Sequence, residues 1–449
     1  MNALVEPHPL TALIARRHWT ASMFLARVDA RHRALGHGGI GTRKEKVCRW
    51  AAGTTPYITV QLAMAEVFGV DRREVHHRGW PDWLLLAFHD DHAVVESAWT
   101  PAGTVKALEN LGGPVDRRGF LVTSTGTLAA IIAQWATAPS STSAPTAGRR
   151  VGHQVVKLFD ARLDALRHLD DQVGSGQAYD AATAELRLIT RILTESAYTD
   201  DIGRGLYAAA AEASRLAGWC AYDAGHCAAA ERHFVAALRA AASAGDDTMA
   251  AIVLAFWANL RYARGDARGA LGLLDGALSA QRKITSPRVV AMLHARRARA
   301  HSKAAEPVAA FKAVDAALAA YDHAGPAAED LPGMYWVTAG ELHQVAASSA
   351  LTLKDPRRAL THFDAAVRHH DPYDPDKEAR GAAIYLARKS AAHLALGDVD
   401  AALESAHEVV GRMGGVDSAR GSSTLDELRA ELGKHQQVRA VQEFLGLTA

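Results

Sequence analysis

Cysteine is scarce: the chain has three, Cys48, Cys220 and Cys227, and no two of them form a CxxC pair. A disulfide framework is therefore not expected, and a reducing compartment fits best. Long apolar runs are also missing. Stretches such as LYAAAAEASRLAGWCAYDAG are rich in alanine but broken by charge, which excludes a membrane span. The opening MNALVEPHPL has no charged leader ahead of an apolar segment, so no signal peptide is expected, and the reading is a cytoplasmic protein. There is no GxxxxGK[ST], no HExxH, no GxSxG, and no Ser/His/Asp set that stands out. Catalysis is not expected, nor is a bound cofactor or metal.

What is present begins with charge asymmetry. The net charge of +1 averages over unlike regions. Through Arg78 there are twelve Lys or Arg against six Asp or Glu, a local balance of +6 that leaves −5 for the remainder. A basic module on a mildly acidic body points to a nucleic-acid-facing end. Composition divides the chain further. Residues 1–78 are basic and helix-patterned, and residues 79–135 hold four of the nine tryptophans and make a connecting segment. Residues 136–150, ATAPSSTSAPTAGRR, read as a flexible linker, and 151–449 are helical in pattern almost throughout.

The C-terminal region repeats itself. Anchored on the turn between paired helices, the repeats start from Gly225, Gly265, Ala305, Lys354 and Gly397. Five residues later stands Ala230, Ala270, Ala310, Ala359 or Ala402, and four beyond that Phe234, Leu274, Val314, Phe363 or Ala406. Small residues where helices cross let backbones approach, and a larger apolar residue one turn away fills the groove. Successive turns are 40, 40, 49 and 43 residues apart. The pattern resembles tetratricopeptide repeats, whose usual period is about 34, with longer helices or turns. Patterns at 152–171 and 178–196 predict an extra pair, and 424–446 a closing helix.

Residues 36–41 read GHGGIG, which matches the GxGxxG dinucleotide fingerprint as text. That fingerprint needs a preceding β-strand. Here Phe24, Leu25, Val28 and Leu35 follow helical spacing instead, so a cofactor loop is not expected. After the glycines, Thr42 is expected to cap a short basic helix over 42–51, with Val47 and Trp50 on its core face. The predicted order is helices at 10–17, 20–34, 42–51 and 57–68.

With VCRWAAGTTP and LAMAEVFGVD, this order resembles the Cro-type helix-turn-helix fold of the xenobiotic-response-element-like regulators. The arrangement of parts is similar to actinobacterial regulators that join such a domain to tetratricopeptide repeats. The resemblance implies that Thr42, Arg43, Lys44 and Lys46 face double-stranded DNA, with Arg49 at the rim. The expected fold class is all-α: an N-terminal helix-turn-helix bundle, a connecting segment and a C-terminal tetratricopeptide-like solenoid. The expected function is a transcriptional regulator that is a homodimer and senses a peptide, small molecule or protein in the repeat groove. The alternative is a cytoplasmic adaptor whose helix-turn-helix no longer binds DNA. Aromatic candidates for the groove are Tyr207, Trp219, Tyr222, Trp257, Tyr262, Tyr335, Trp336 and Tyr385, although most would serve interhelix packing. Cys48 is read as a small core residue, with an oxidation sensor as the alternative. HDDH at 89–92, and His362 with His369, are read as polar surface and interhelical histidines rather than metal ligands.

Overall fold

The computed structural model describes residues 8–87, 94–112, 125–139, 148–369, 379–413 and 419–447. Among these residues the chain is all-α except for two two-residue strands, Arg149–Arg150 and Ser196–Ala197, paired in parallel. The chain divides into two compact units, Met1–Ala98 with Lys106–Ser124, and Trp99–Val105 with Thr125–Ala449. The Trp-rich block 79–135 is therefore shared between them. HDDH lies outside the described residues, as does most of the linker read at 136–150.

The first unit holds α1 (Pro9–Arg16), α2 (Ala21–Ala34), α3 (Glu45–Ala51), α4 (Ile58–Phe68), α5 (Arg72–Arg78) and a 3₁₀ turn, Asp82–Ala87. Thr20 caps α2 by accepting from the Met23 N–H at 3.2 Å, and Gly69, at φ +78°, ends α4 in the left-handed conformation that favours glycine. Leu13, Phe24, Leu25, Val28, Met64 and Phe68 form one core, joined by Trp83 and Leu84 from beyond the expected boundary at 78. Trp83 is wholly buried, and its indole donates to Gln61 Oε1 at 3.0 Å. This satisfies the one polar atom that such a ring brings inside. The short basic helix starts at Glu45, three residues later than expected. Lys44 is its cap residue and Thr42 does not cap it.

The second unit is a stack of antiparallel helix pairs, preceded by α6 (Pro101–Glu109), whose first five residues belong to it, and α7 (Thr125–Thr137). The pairs are α8 (His153–Val173) with α9 (Ser175–Glu195), α10 (Asp200–Asp223) with α11 (Cys227–Ala244), and α12 (Asp247–Ala263) with α13 (Ala267–Ser279). Next come α14 (Pro287–Lys303) with α15 (Pro307–Tyr321), α16 (Ala339–Thr352) with α17 (Pro356–Arg368), and α18 (Ala379–Ala395) with α19 (Val399–Met413). The closing helix expected at 424–446 is instead two, α20 (Ala419–Leu432) and α21 (Arg439–Leu447), broken by a 3₁₀ turn at Gly433–His435.

All five turn positions aligned from sequence have positive φ: Gly225 +83°, Gly265 +88°, Ala305 +58°, Lys354 +61° and Gly397 +82°. In three of them the next residue is an Asp that caps the following helix. Asp266, Asp355 and Asp398 accept from the N–H of Gly269, Arg358 and Ala401 at 2.8, 3.0 and 3.1 Å. The five alanines at the crossing position are all fully buried. These are the features of a tetratricopeptide-like α-solenoid. Thirteen residues after the turn the pairs differ: Leu238 of the first is buried, whereas Val367 of the fourth is 68% exposed.

Candidate nucleic-acid interface and repeat groove

The glycines of GHGGIG have a conformational role. Gly36, Gly38 and Gly41 have φ of +82°, +78° and +69°, values that cost a side-chain-bearing residue strain. They carry the chain from α2 to α3, so a helix and not a strand leads into them. Three side chains hold the turn. The buried His32 bonds the Gly38 carbonyl through Nδ1 at 2.7 Å, and its Nε2 lies 3.1 Å from Thr59 Oγ1 on α4. Asp29 accepts from the Ile40 N–H at 2.6 Å and from Arg33 at 2.9 Å, and these two donors hold its carboxyl below the usual range. Lys46 is half-buried and its ammonium donates to the Ile40 carbonyl, so both polar groups around Ile40 are fixed.

The sequence-predicted site residues fall into two groups. Thr42, Arg43 and Lys44 are exposed in the turn and Arg49 is exposed on α3. No ion pair or side-chain hydrogen bond engages any of the four among the described residues. Elsewhere in this unit several arginines are paired: Arg31 and Arg72 with Glu66, Arg33 with Asp29, and Arg78 with Glu74 and Glu96. Lys46 stands apart from the four because it braces the turn. Val47 and Trp50 are buried, at 5% and 7% exposure, and fasten α3 to the core. Cys48, read from sequence as a core residue, is exposed. On a seven-residue helix the core face takes Val47 and Trp50, and the intervening positions face outward.

In the second unit the leading helices of the pairs pack in sequence, α8 on α10, α10 on α12, and so on to α18, and α8 also touches α18. The inner face of this row is thereby enclosed. The 49-residue spacing between the third and fourth turns has a structural cause, a strap running from 322 to 338. Arg288, 4% exposed, ties it down by donating to the carbonyls of Gly325 and Val337, each at 2.7 Å, and to the Tyr321 hydroxyl at 3.2 Å. The strap brings the Tyr335 hydroxyl to Asp171 on α8 and the Tyr335 ring to within 4.7 Å of His168. It also places Trp336 6.0 Å from Phe256 and under the Arg296 guanidinium at 5.5 Å.

Of the aromatic candidates, Tyr207, Trp257 and Tyr262 are buried among helices. Trp219, Tyr222, Tyr335, Trp336 and Tyr385 are half-buried. Sequence reasoning missed the cations beside them, because a lone Arg in an Ala/Arg-rich helix carries no distinguishing signal.

His362 and His369 meet a third ring, His343, with centroids 5.5 Å from each. Burial and then its two neighbours push the His343 pKa down to about 4, so it is neutral near pH 7. Among the described residues no group of three or more His, Cys, Asp or Glu is arranged to hold a metal ion.

No protein-family model matches the chain, and no curated protein matches it by sequence. Among solved structures it is similar to the crystal structure of yeast Tom70, with a TM-score of 0.41 and 11% identity, over 95% of this chain and 87% of that one. Among the described residues no helix is long and apolar enough to cross a membrane.

Proposed function

We propose that this chain is a sequence-specific DNA-binding transcriptional regulator whose repeats sense a ligand and mediate dimerisation. The observation that carries this reading is the contrast within the first unit. Several arginines there are matched to acids, while Arg43, Lys44 and Arg49 are exposed on one turn and its following helix with no acid paired to them among the described residues. Cations left unmatched on a rigid element suit phosphates, and an Arg on a helix that enters the major groove can bond guanine in bidentate fashion. The likeness of VCRWAAGTTP and LAMAEVFGVD to Cro-type regulators points the same way. It assigns α3 as the helix that enters the groove, with Thr42 and Lys44 on the backbone.

Three cations per head bind weakly, so two heads on two half-sites are expected, and the repeats are the part of the chain large enough to join them. The test is a salt-titrated shift assay on DNA from upstream of the protein's own gene. The reading expects affinity that falls steeply with salt and is lost when Arg43, Lys44 and Arg49 are changed together to Ala. Absence of any shift at low salt would leave the adaptor reading, in which the repeats bind a protein and the head does not touch DNA.

A further inference from the structure

We propose that the enclosed inner face of the repeats binds a small molecule carrying an oxyanion, held by Arg296, Arg299 and Arg388. This deepens the ligand-sensing half of the proposed function and does not depend on DNA binding. The argument begins with how neighbouring recessed arginines are treated. Arg167 and Arg215 share Glu212, Arg261 pairs with Glu231 and Asp266, and Arg288 lies 3.4 Å from Asp330. Burial alone would raise the Glu212 carboxyl, but its two guanidiniums outweigh this and hold it at about 2.

Among the described residues Arg299 and Arg388 form no ion pair with an acid. Arg296 forms none either, but its burial is outweighed by the charges of Tyr262 and Glu341, which raise its pKa, so the cations in excess are Arg299 and Arg388. Arg299, 8% exposed, donates to the Ser348 carbonyl at 2.6 Å and the Thr352 hydroxyl at 3.0 Å, both neutral. Arg388 donates to the hydroxyl of the same Ser348 at 3.0 Å, so two guanidiniums are anchored on one residue. Arg296 donates to the Tyr262 hydroxyl at 3.2 Å. Glu341, whose charge acts on Arg296, accepts from the Tyr385 hydroxyl at 2.8 Å. Burial, and then Arg388, lower the Arg299 pKa to about 10.

Bringing like charges together in a recess is costly unless an anion completes them. Guanidinium forks fit phosphate and carboxylate oxygens in particular. Trp336 and Tyr385, each half-buried against one of these arginines, offer flat apolar walls beside the cations. Contact of α8 with α18, together with the strap, encloses the face, which suits a small molecule better than an extended peptide.

The full chain, without DNA, is titrated calorimetrically with phenyl phosphate and with benzoate, and with chloride at matched ionic strength as control. The expected result is saturable binding of one of the two, which tells phosphate from carboxylate, and none of chloride. Arg388→Gln should weaken that binding by about tenfold or more, and Arg388→Lys should restore part of it. Arg268→Gln, on an exposed pair outside the site, should leave it unchanged. Should Arg388→Gln not fold, Ser348→Ala is scored instead; it keeps every charge but loses the hydroxyl that orients Arg388, and weaker binding is expected. Wild-type protein that binds neither probe saturably, or a folded variant at 388 or 348 with unchanged affinity, would overturn the proposal. Failure of the shift assay would leave it standing.

Discussion

Lys46 and Arg49 lie three residues apart on α3, and the structure gives them different work that one experiment can separate. Arg49 is exposed and has no ion pair or side-chain hydrogen bond among the described residues, so under the proposed function it would contribute by releasing counterions from a phosphate. Changing it to Ala should reduce the slope of log K against log salt by about 0.9 per head. Between 50 and 200 mM salt, one such contact accounts for about 3.5-fold in affinity. Lys46 instead donates to the Ile40 carbonyl, so Lys46→Ala removes a charge-assisted hydrogen bond worth about 1.5 kcal/mol from a turn that must be ordered to dock. That is about tenfold in affinity, with the slope unchanged and the melting temperature of the head lowered. Asp29→Asn, which weakens the acceptor for the Ile40 N–H, should behave like Lys46→Ala even though it makes the head more positive. Binding isotherms at four salt concentrations, paired with thermal melts, read all three variants. A Lys46→Ala protein that melts normally and loses as much slope as Arg49→Ala would refute the bracing role.

Other expectations follow from the same geometry. Ala305→Gly and Lys354→Gly relieve left-handed backbone at exposed turns, and each should stabilise the repeats by about 0.5–1 kcal/mol, read as a higher denaturant midpoint at constant m. The matched control, Gly265→Ala, should destabilise by a similar amount. Gly38→Ala puts a Cβ into open space but at φ +78°, so it should cost about 1 kcal/mol and weaken DNA binding without changing the salt slope. Acid should destabilise the repeats. Burial and then Arg232 push His233 down to about 3, against an ordinary value of 6.5, while Glu212 is held at about 2 against 4.5. In both cases the unfolded chain binds more protons, so stability is full above about pH 6.5 and falls as pH drops toward 3. Denaturant titrations from pH 7 to 4 that show no loss would contradict this.

The sequence exposed the parts of the fold that rest on local chemistry. Five repeat turns could be aligned because the turn, a small crossing residue five later and, in four of the five, a larger apolar residue four beyond that sit at fixed offsets. The alignment reached Ala305 and Lys354, where no glycine marks the turn. The glycines at 36, 38 and 41 could be separated from a cofactor loop because the preceding period is helical. What escaped depended on contacts distant in sequence or on where a short helix begins. Thr42 has the composition of a cap, but α3 starts at Glu45. Cys48 follows a core residue, yet a seven-residue helix has room for only one buried stripe.

The cationic group on the inner face was the least visible, because Arg296, Arg299 and Arg388 come from two helices and meet only when α14 and α18 flank α16. The uneven 49-residue interval was visible, but its meaning was not. The extra residues build a strap whose Trp336 comes to lie beside those cations. In a repeat fold the turns and crossings obey the period, since they must stack. Departures from the period are tolerated where they face inward, and the strap therefore marks the region of the repeats most open to specialisation.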